Sequence, residues 1–171
     1  LEIIAETYYH SLAFLVSYRE FKEEVKLHLA RVKELFNFKP RIFRNTEAMY
    51  NNDVAKVVEK MKFKGIITEG TEKILGWKSP GYPYLADGTS LMLFLRNYRL
   101  SDDIAFRFSA RKWEEYPLTA DKYAIWISAV PDPYVMIYID FETFGEHHWP
   151  ETGIFEFLEL SLIHISEPTR P

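Results

Sequence analysis

The chain has 171 residues, 47% apolar and 27% charged, enough for one soluble globular domain with a sizeable core. A net charge of -4 with no basic block excludes nucleic acid as the main partner. The lack of Cys excludes disulfides and thiolate metal sites, and no apolar run reaches membrane-spanning length.

The chain opens inside an expected strand, Glu2 to Ala5, so a leader segment could not show. Tyr8, Tyr9 and His10 follow at its carboxyl end, where ligand contacts concentrate. From Ser17 to Phe36 the period becomes helical, with Phe21, Val25, Leu29, Val32 and Phe36 at spacings of three and four. Lys39-Pro40 stops that helix, and Arg41 to Arg44 reads as the next strand. Asn45-Thr46-Glu47 stands at its tip. Asn51-Asn52-Asp53 supplies N-cap chemistry for a helix with Val54, Val57, Val58 and Met61 on one face. Gly65 to Thr68 is a third strand, ending at Glu69. Strand, polar tip and helix in series predict an α/β fold with a parallel sheet or barrel.

Gly70 to Ser90 breaks this pattern with three further Gly and two Pro. A loop of that length in a compact domain is usually functional or disordered. Its Trp77, Tyr82 and Tyr84 either stack on sugar faces or pack beneath the loop. Leu91 to Leu95 reads as a strand, and Ile104, Phe106 and Phe108 alternate after Asp102-Asp103. Thr119-Ala120-Asp121 starts a helix to about Ala129.

The apolar run Tyr134 to Ile139, bounded by Pro133, reads as a buried parallel strand. Asp140 is the first polar residue beyond it. Glu142, Glu146, His147, His148 and Trp149 crowd behind it around Gly145. Two carboxylates, Glu47 and Asp140, thus stand on separate strand ends. That is the minimum equipment for glycoside hydrolysis.

Two stretches go beyond this pattern. FRNTEAMYNN and IDFETFGEHHW resemble signature regions of glycoside hydrolase family 57, in its α-amylase branch. TYYHSL, GIITEGTEKILGW and RNYRLSDDIAFRFS are similar to further parts of that family, so the likeness covers 1–159. It implies a partial catalytic domain, a fragment of an incomplete seven-stranded parallel β/α barrel. It implies a retaining α-glucan-active enzyme without metal or cofactor, with Glu47 as nucleophile and Asp140 as acid/base. His10, Trp77, Glu142, His147, His148 and Trp149 are the candidate substrate contacts. The expected partner is an α-glucan or maltooligosaccharide, with no nucleic acid, no membrane and a cytoplasmic location. The family's opening histidine motif, its last signature region and its helical domain are missing, so the isolated chain is expected to be inactive.

Rival readings remain at this point. A 4-α-glucanotransferase or amylopullulanase shares the two carboxylates. A metal-dependent polysaccharide deacetylase would use Asp140, His147 and His148 as ligands, although adjacent His side chains diverge. A non-catalytic glucan-binding fragment would keep only the aromatics. LSLIHISEPTR, within 160–171, resembles the translation of a transposase-end adapter and is expected to be a non-native tail with few contacts.

Overall fold

A computed structural model describes residues 2–166. The chain divides into two compact units, Leu1–Arg96 and Asn97–Pro171.

The first unit holds the sheet. Helix α1 (Tyr18–Phe36) starts where the Ser17 hydroxyl accepts the Glu20 N–H and stops at Asn37, in the left-handed conformation. It buries Phe21, Val25 and Val32 as its periodicity predicts, while Phe36, its last residue, faces solvent. Strand β1 (Ile42–Arg44), helix α2 (Asn52–Lys60) and strand β2 (Gly65–Glu69) follow. The Asn51 side chain caps α2 through the Val54 N–H at 2.8 Å. The long loop carries a short helix α3 (Glu72–Leu75) and strand β3 (Tyr84–Leu85) before strand β4 (Met92–Arg96).

The strand order is β1-β2-β4-β3. β1, β2 and β4 are parallel, with Phe43, Ile66 and Leu93 in register, and β3 is antiparallel on the edge. The sheet is therefore mixed, with four strands among the described residues. The expected strand at Glu2 to Ala5 contracts to one parallel bridge, Ala5 beside Phe43, with Ala5 bonded to Ile42 and Arg44 at 2.9 and 2.8 Å. Phe21, Phe43 and Phe63 pack edge and tilted over the sheet, with Val25, Val54 and Ile66 completing the core.

His28 on α1 accepts the Glu6 N–H at 3.4 Å. Burial lowers its pKa below the ordinary value of about 6.5, and the Glu6 carboxylate opposes that shift only partly. The unfolded chain then binds more protons than the folded one, so this group stabilises above its unfolded pKa. That stabilisation is lost as pH falls below about 6.5. Thermal melts of the wild type at successive pH values should show this slope, and His28→Gln should flatten it. An unchanged slope in the variant would contradict the assignment.

The second unit is helical. α4 (Tyr98–Ala105), α5 (Ala120–Ser128) and α6 (Ile154–Ser166) enclose Leu100, Ile104, Phe108, Tyr123, Ile154 and Phe157. Asn97 and Thr119 cap α4 and α5. The buried Tyr123 hydroxyl donates to the Leu100 carbonyl at 2.9 Å, and desolvation raises its pKa.

Two expectations fail here. Tyr134 to Ile139 is not a strand. The segment is half-buried, and α4's start supplies its polar partners: Met136 O accepts the Asn97 N–H at 2.9 Å, and the Tyr138 N–H reaches Ser101 Oγ at 3.2 Å. A β-branched run becomes a strand only when a neighbour offers a ladder, and these helical caps do not.

The expectation that the tail makes few contacts does not hold as far as Ser166. α6 continues past Leu160, Ser161 is buried, and His164 Nδ1 lies 3.0 Å from Asp121 Oδ1. An unbroken run of helix-compatible residues sustains the helix, but it leaves Leu162 62% exposed. Residues 167–171 of that stretch lie outside the described residues.

Candidate active site

Glu47 owes its position to a strained turn after β1. Glu47 (φ 55°, ψ 25°) and Ala48 (φ 51°) are successive L-residues in the left-handed region. Each such residue costs on the order of 1–3 kcal/mol and persists only where its surroundings over-determine it. Buried Thr46 donates to the Ser11 carbonyl at 2.7 Å and meets the Thr7 hydroxyl at 2.9 Å. Thr68 at the end of β2 donates to the Ala48 carbonyl at 2.8 Å, and Asn45 Nδ2 to the Met49 carbonyl at 3.1 Å. Asn45 Oδ1 is fully buried without a hydrogen bond, a second sign of strain. The turn presents the Glu47 carboxylate outward, with its side chain 70% exposed.

His10, itself at φ 53°, faces that carboxylate. Its Nε2 is 3.2 Å from Glu47 Oε1 and its Nδ1 is 3.4 Å from Glu6 Oε2. Arg44 NH2 holds the same Glu6 oxygen at 3.1 Å. Buried Glu24 on α1 pins the loop from behind, accepting the Ser11 hydroxyl at 2.7 Å and the Tyr9 N–H at 3.3 Å.

A cavity of about 360 Å³ opens beside Glu47 at the carboxyl ends of β2 and β4. Tyr50, Thr68, Leu95 and Ile74 are among its walls. A second carboxylate there, Glu69, accepts from Arg96 NH1 at 3.1 Å and from the Gly70 N–H at 3.0 Å. Gly70 is required: a Cβ there would lie 2.3 Å from the Arg96 carbonyl oxygen. The loop aromatics differ in burial. Tyr84 packs on the core and donates to the Ser79 carbonyl at 2.6 Å, whereas Trp77 is 92% exposed.

In the second unit Asp140 is exposed and leads into the turn Phe141–Thr143, its carbonyl accepting the Thr143 N–H at 3.1 Å. The Glu142 carbonyl receives the N–H groups of Glu146 and His147, and Gly145 supplies the φ of 104° that reverses the chain. Glu142, His147 and Trp149 are exposed; Trp149 Nε1 donates to the Glu146 carbonyl at 3.0 Å.

His148 turns the other way. It is 5% exposed, its Nε2 lies 3.1 Å from the Ala105 carbonyl and its Nδ1 2.8 Å from Ser109 Oγ. A carbonyl only accepts, so Nε2 carries a proton. The ring packs on Phe108 at 5.6 Å and ties the turn to α4's end. Both ring nitrogens of His148 are thus engaged within this unit. The same engagement leaves the Asp140, His147 and His148 metal-ligand set unassembled.

Sequence reading singled out Glu47, His10 and Asp140 and passed over Glu6, Glu24, Thr46 and Ser109, which support or contact the candidate residues. For Glu6 a signal existed, a carboxylate four residues before His10. For the others, the partners lie 13 to 39 positions away.

A curated relative from Methanocaldococcus jannaschii, named "Putative alpha-amylase", is 57% identical over 169 residues, covering 98% of this chain. The chain spans 36% of that relative's length. The solved structure of 4-alpha-glucanotransferase from Thermococcus litoralis matches with TM-score 0.74 at 16% identity, over 98% of this chain and 26% of that one. A structure titled "putative polysaccharide deacetylase" from Mycobacterium smegmatis matches with TM-score 0.52, also at 16% identity, over 75% of this chain and 43% of that one. At such identity both show a shared fold. The sequence model of "Glycosyl hydrolase family 57" matches residues 1–167, and the chain belongs to that family.

Proposed function

We propose that this chain is part of the catalytic barrel, seven-stranded when complete, of a retaining glycosidase that cleaves α-1,4 bonds of glucans as α-amylases do. The observation that carries the reading is Glu47, held in a strained conformation at the carboxyl end of β1, beside a cavity and within 3.2 Å of an imidazole. Strain of this kind is maintained where a side chain must be aimed. The Glu47 carboxylate forms a bond to the anomeric carbon as the glycosidic C–O bond breaks, and Asp140 gives its proton to the departing sugar oxygen. The resulting glucosyl ester is cleaved by water that Asp140 deprotonates. A sugar hydroxyl in place of that water gives transfer in place of hydrolysis.

Two measurements on the full-length enzyme test this. Proton NMR during maltooligosaccharide cleavage should show the α-anomer of the new reducing end first. An activated fluoro-sugar of the α-glucosyl series should add one sugar mass to the peptide bearing Glu47. A β-anomer first, or label on another residue, would overturn the assignment.

A further inference from the structure

Behind Glu47 the first unit holds a line of alternating acidic and basic side chains. We propose that Glu6 is a positioning residue that acts on Glu47 through His10. The proposal rests on Glu47 being the nucleophile. Arg44 NH2 lies 3.1 Å from Glu6 Oε2, the same oxygen lies 3.4 Å from His10 Nδ1, and His10 Nε2 lies 3.2 Å from Glu47 Oε1.

The chemistry follows from what each group can donate. A carboxylate only accepts, so a hydrogen bond to Glu47 requires a proton on Nε2. Glu6 faces Nδ1, so the imidazole is held between two carboxylates, one at each ring nitrogen. Glu6 without a partner would offer competing negative charge near the nucleophile; Arg44 offsets it. The result is a fixed donor aimed at one oxygen of Glu47, leaving Oε2 for the anomeric carbon.

Geometry shows that this site is built. His10 occupies a left-handed backbone conformation, and Glu24 fixes both neighbours of its loop, the Tyr9 N–H and the Ser11 hydroxyl. A solvent-facing imidazole with no task would not require that support. The charged or titratable groups facing this line are Glu47 and Glu6 on His10, and Arg44 and His28 on Glu6.

The test uses the full-length enzyme, a maltooligosaccharide substrate, and the variants Glu6→Gln, His10→Gln and the double variant, with Glu47→Gln as reference. Outer partners that orient metal-bound histidines are worth about 10- to 100-fold, and a loss of that order is expected for Glu6 orienting His10. Glu6→Gln should lower kcat by about that factor with KM within about twofold and the melting temperature unchanged. His10→Gln should lose at least as much. The double variant should lose no more than His10→Gln alone, because Glu6 has nothing left to act through. Multiplicative losses, or wild-type kcat in Glu6→Gln, would overturn the proposal. An inactive Glu47→Gln beside a fully active Glu6→Gln sinks the relay alone. An active Glu47→Gln sinks the nucleophile assignment instead.

Discussion

Glu47→Gln in the full-length enzyme is expected to remove at least about three orders of magnitude of turnover with little change in melting temperature. The amide has the shape of the carboxylate but lacks the charge and lone-pair basicity that bond the anomeric carbon. Its side chain is exposed, so the substitution disturbs no packing. The fold effect should therefore be within about 0.5 kcal/mol. Asp140→Asn is expected to cost about 10²- to 10⁴-fold, the range for a lost general acid. The two losses should differ in kind. A substrate with a good leaving group needs no proton, so Asp140→Asn should recover much of its first step on an aryl glycoside. Glu47→Gln should not. Azide should rescue Glu47→Ala with inverted product configuration, since a small anion then attacks directly. Turnover near wild type in Glu47→Gln would remove the proposed chemistry.

Placement of these two carboxylates was legible for unequal reasons. Glu47 follows a short strand whose neighbours, α2 and β2, the sequence also marks, so the βαβ pattern was self-consistent. Asp140 was chosen by the same rule, but its preceding segment is not a strand. An apolar run followed by a polar cluster also describes a non-strand segment entering a turn, which is what the chain forms there. Adjacent His147 and His148 look alike in sequence, but His147 ends the turn exposed to solvent, while His148 packs into the core beside Phe108. The strain at Glu47 and Ala48 had no sequence signal at all. Neither residue is Gly or Asn, and the hydrogen bonds that enforce the turn come from Thr7, Ser11 and Thr68, remote in the chain.

Phe43→Ala should be the most destabilising single truncation in the first unit, by about 3–5 kcal/mol. Phe43 is fully buried at the centre of β1, and its ring meets Phe21 and Phe63, each at 5.6 Å between centroids. Its backbone also lies beside Ala5, so the chain start and β1 rest on the same contact. Removing the ring opens a cavity between three elements that cannot all collapse inward, because the β1–β2 register holds the strand in place. A domain's stability is only about 5–15 kcal/mol, so this loss takes a large share of it. Phe36→Ala is the matched control. It removes the same side chain from the last residue of α1, where the ring is exposed, and should cost within about 0.5 kcal/mol. Urea denaturation of both variants of this chain, followed by far-ultraviolet circular dichroism, measures the difference. Equal midpoints would show that the three-phenylalanine cluster does not carry the unit's stability. A large loss for Phe43 alone would tie the strained Glu47 turn, three residues beyond β1, to the packing of the strand that presents it.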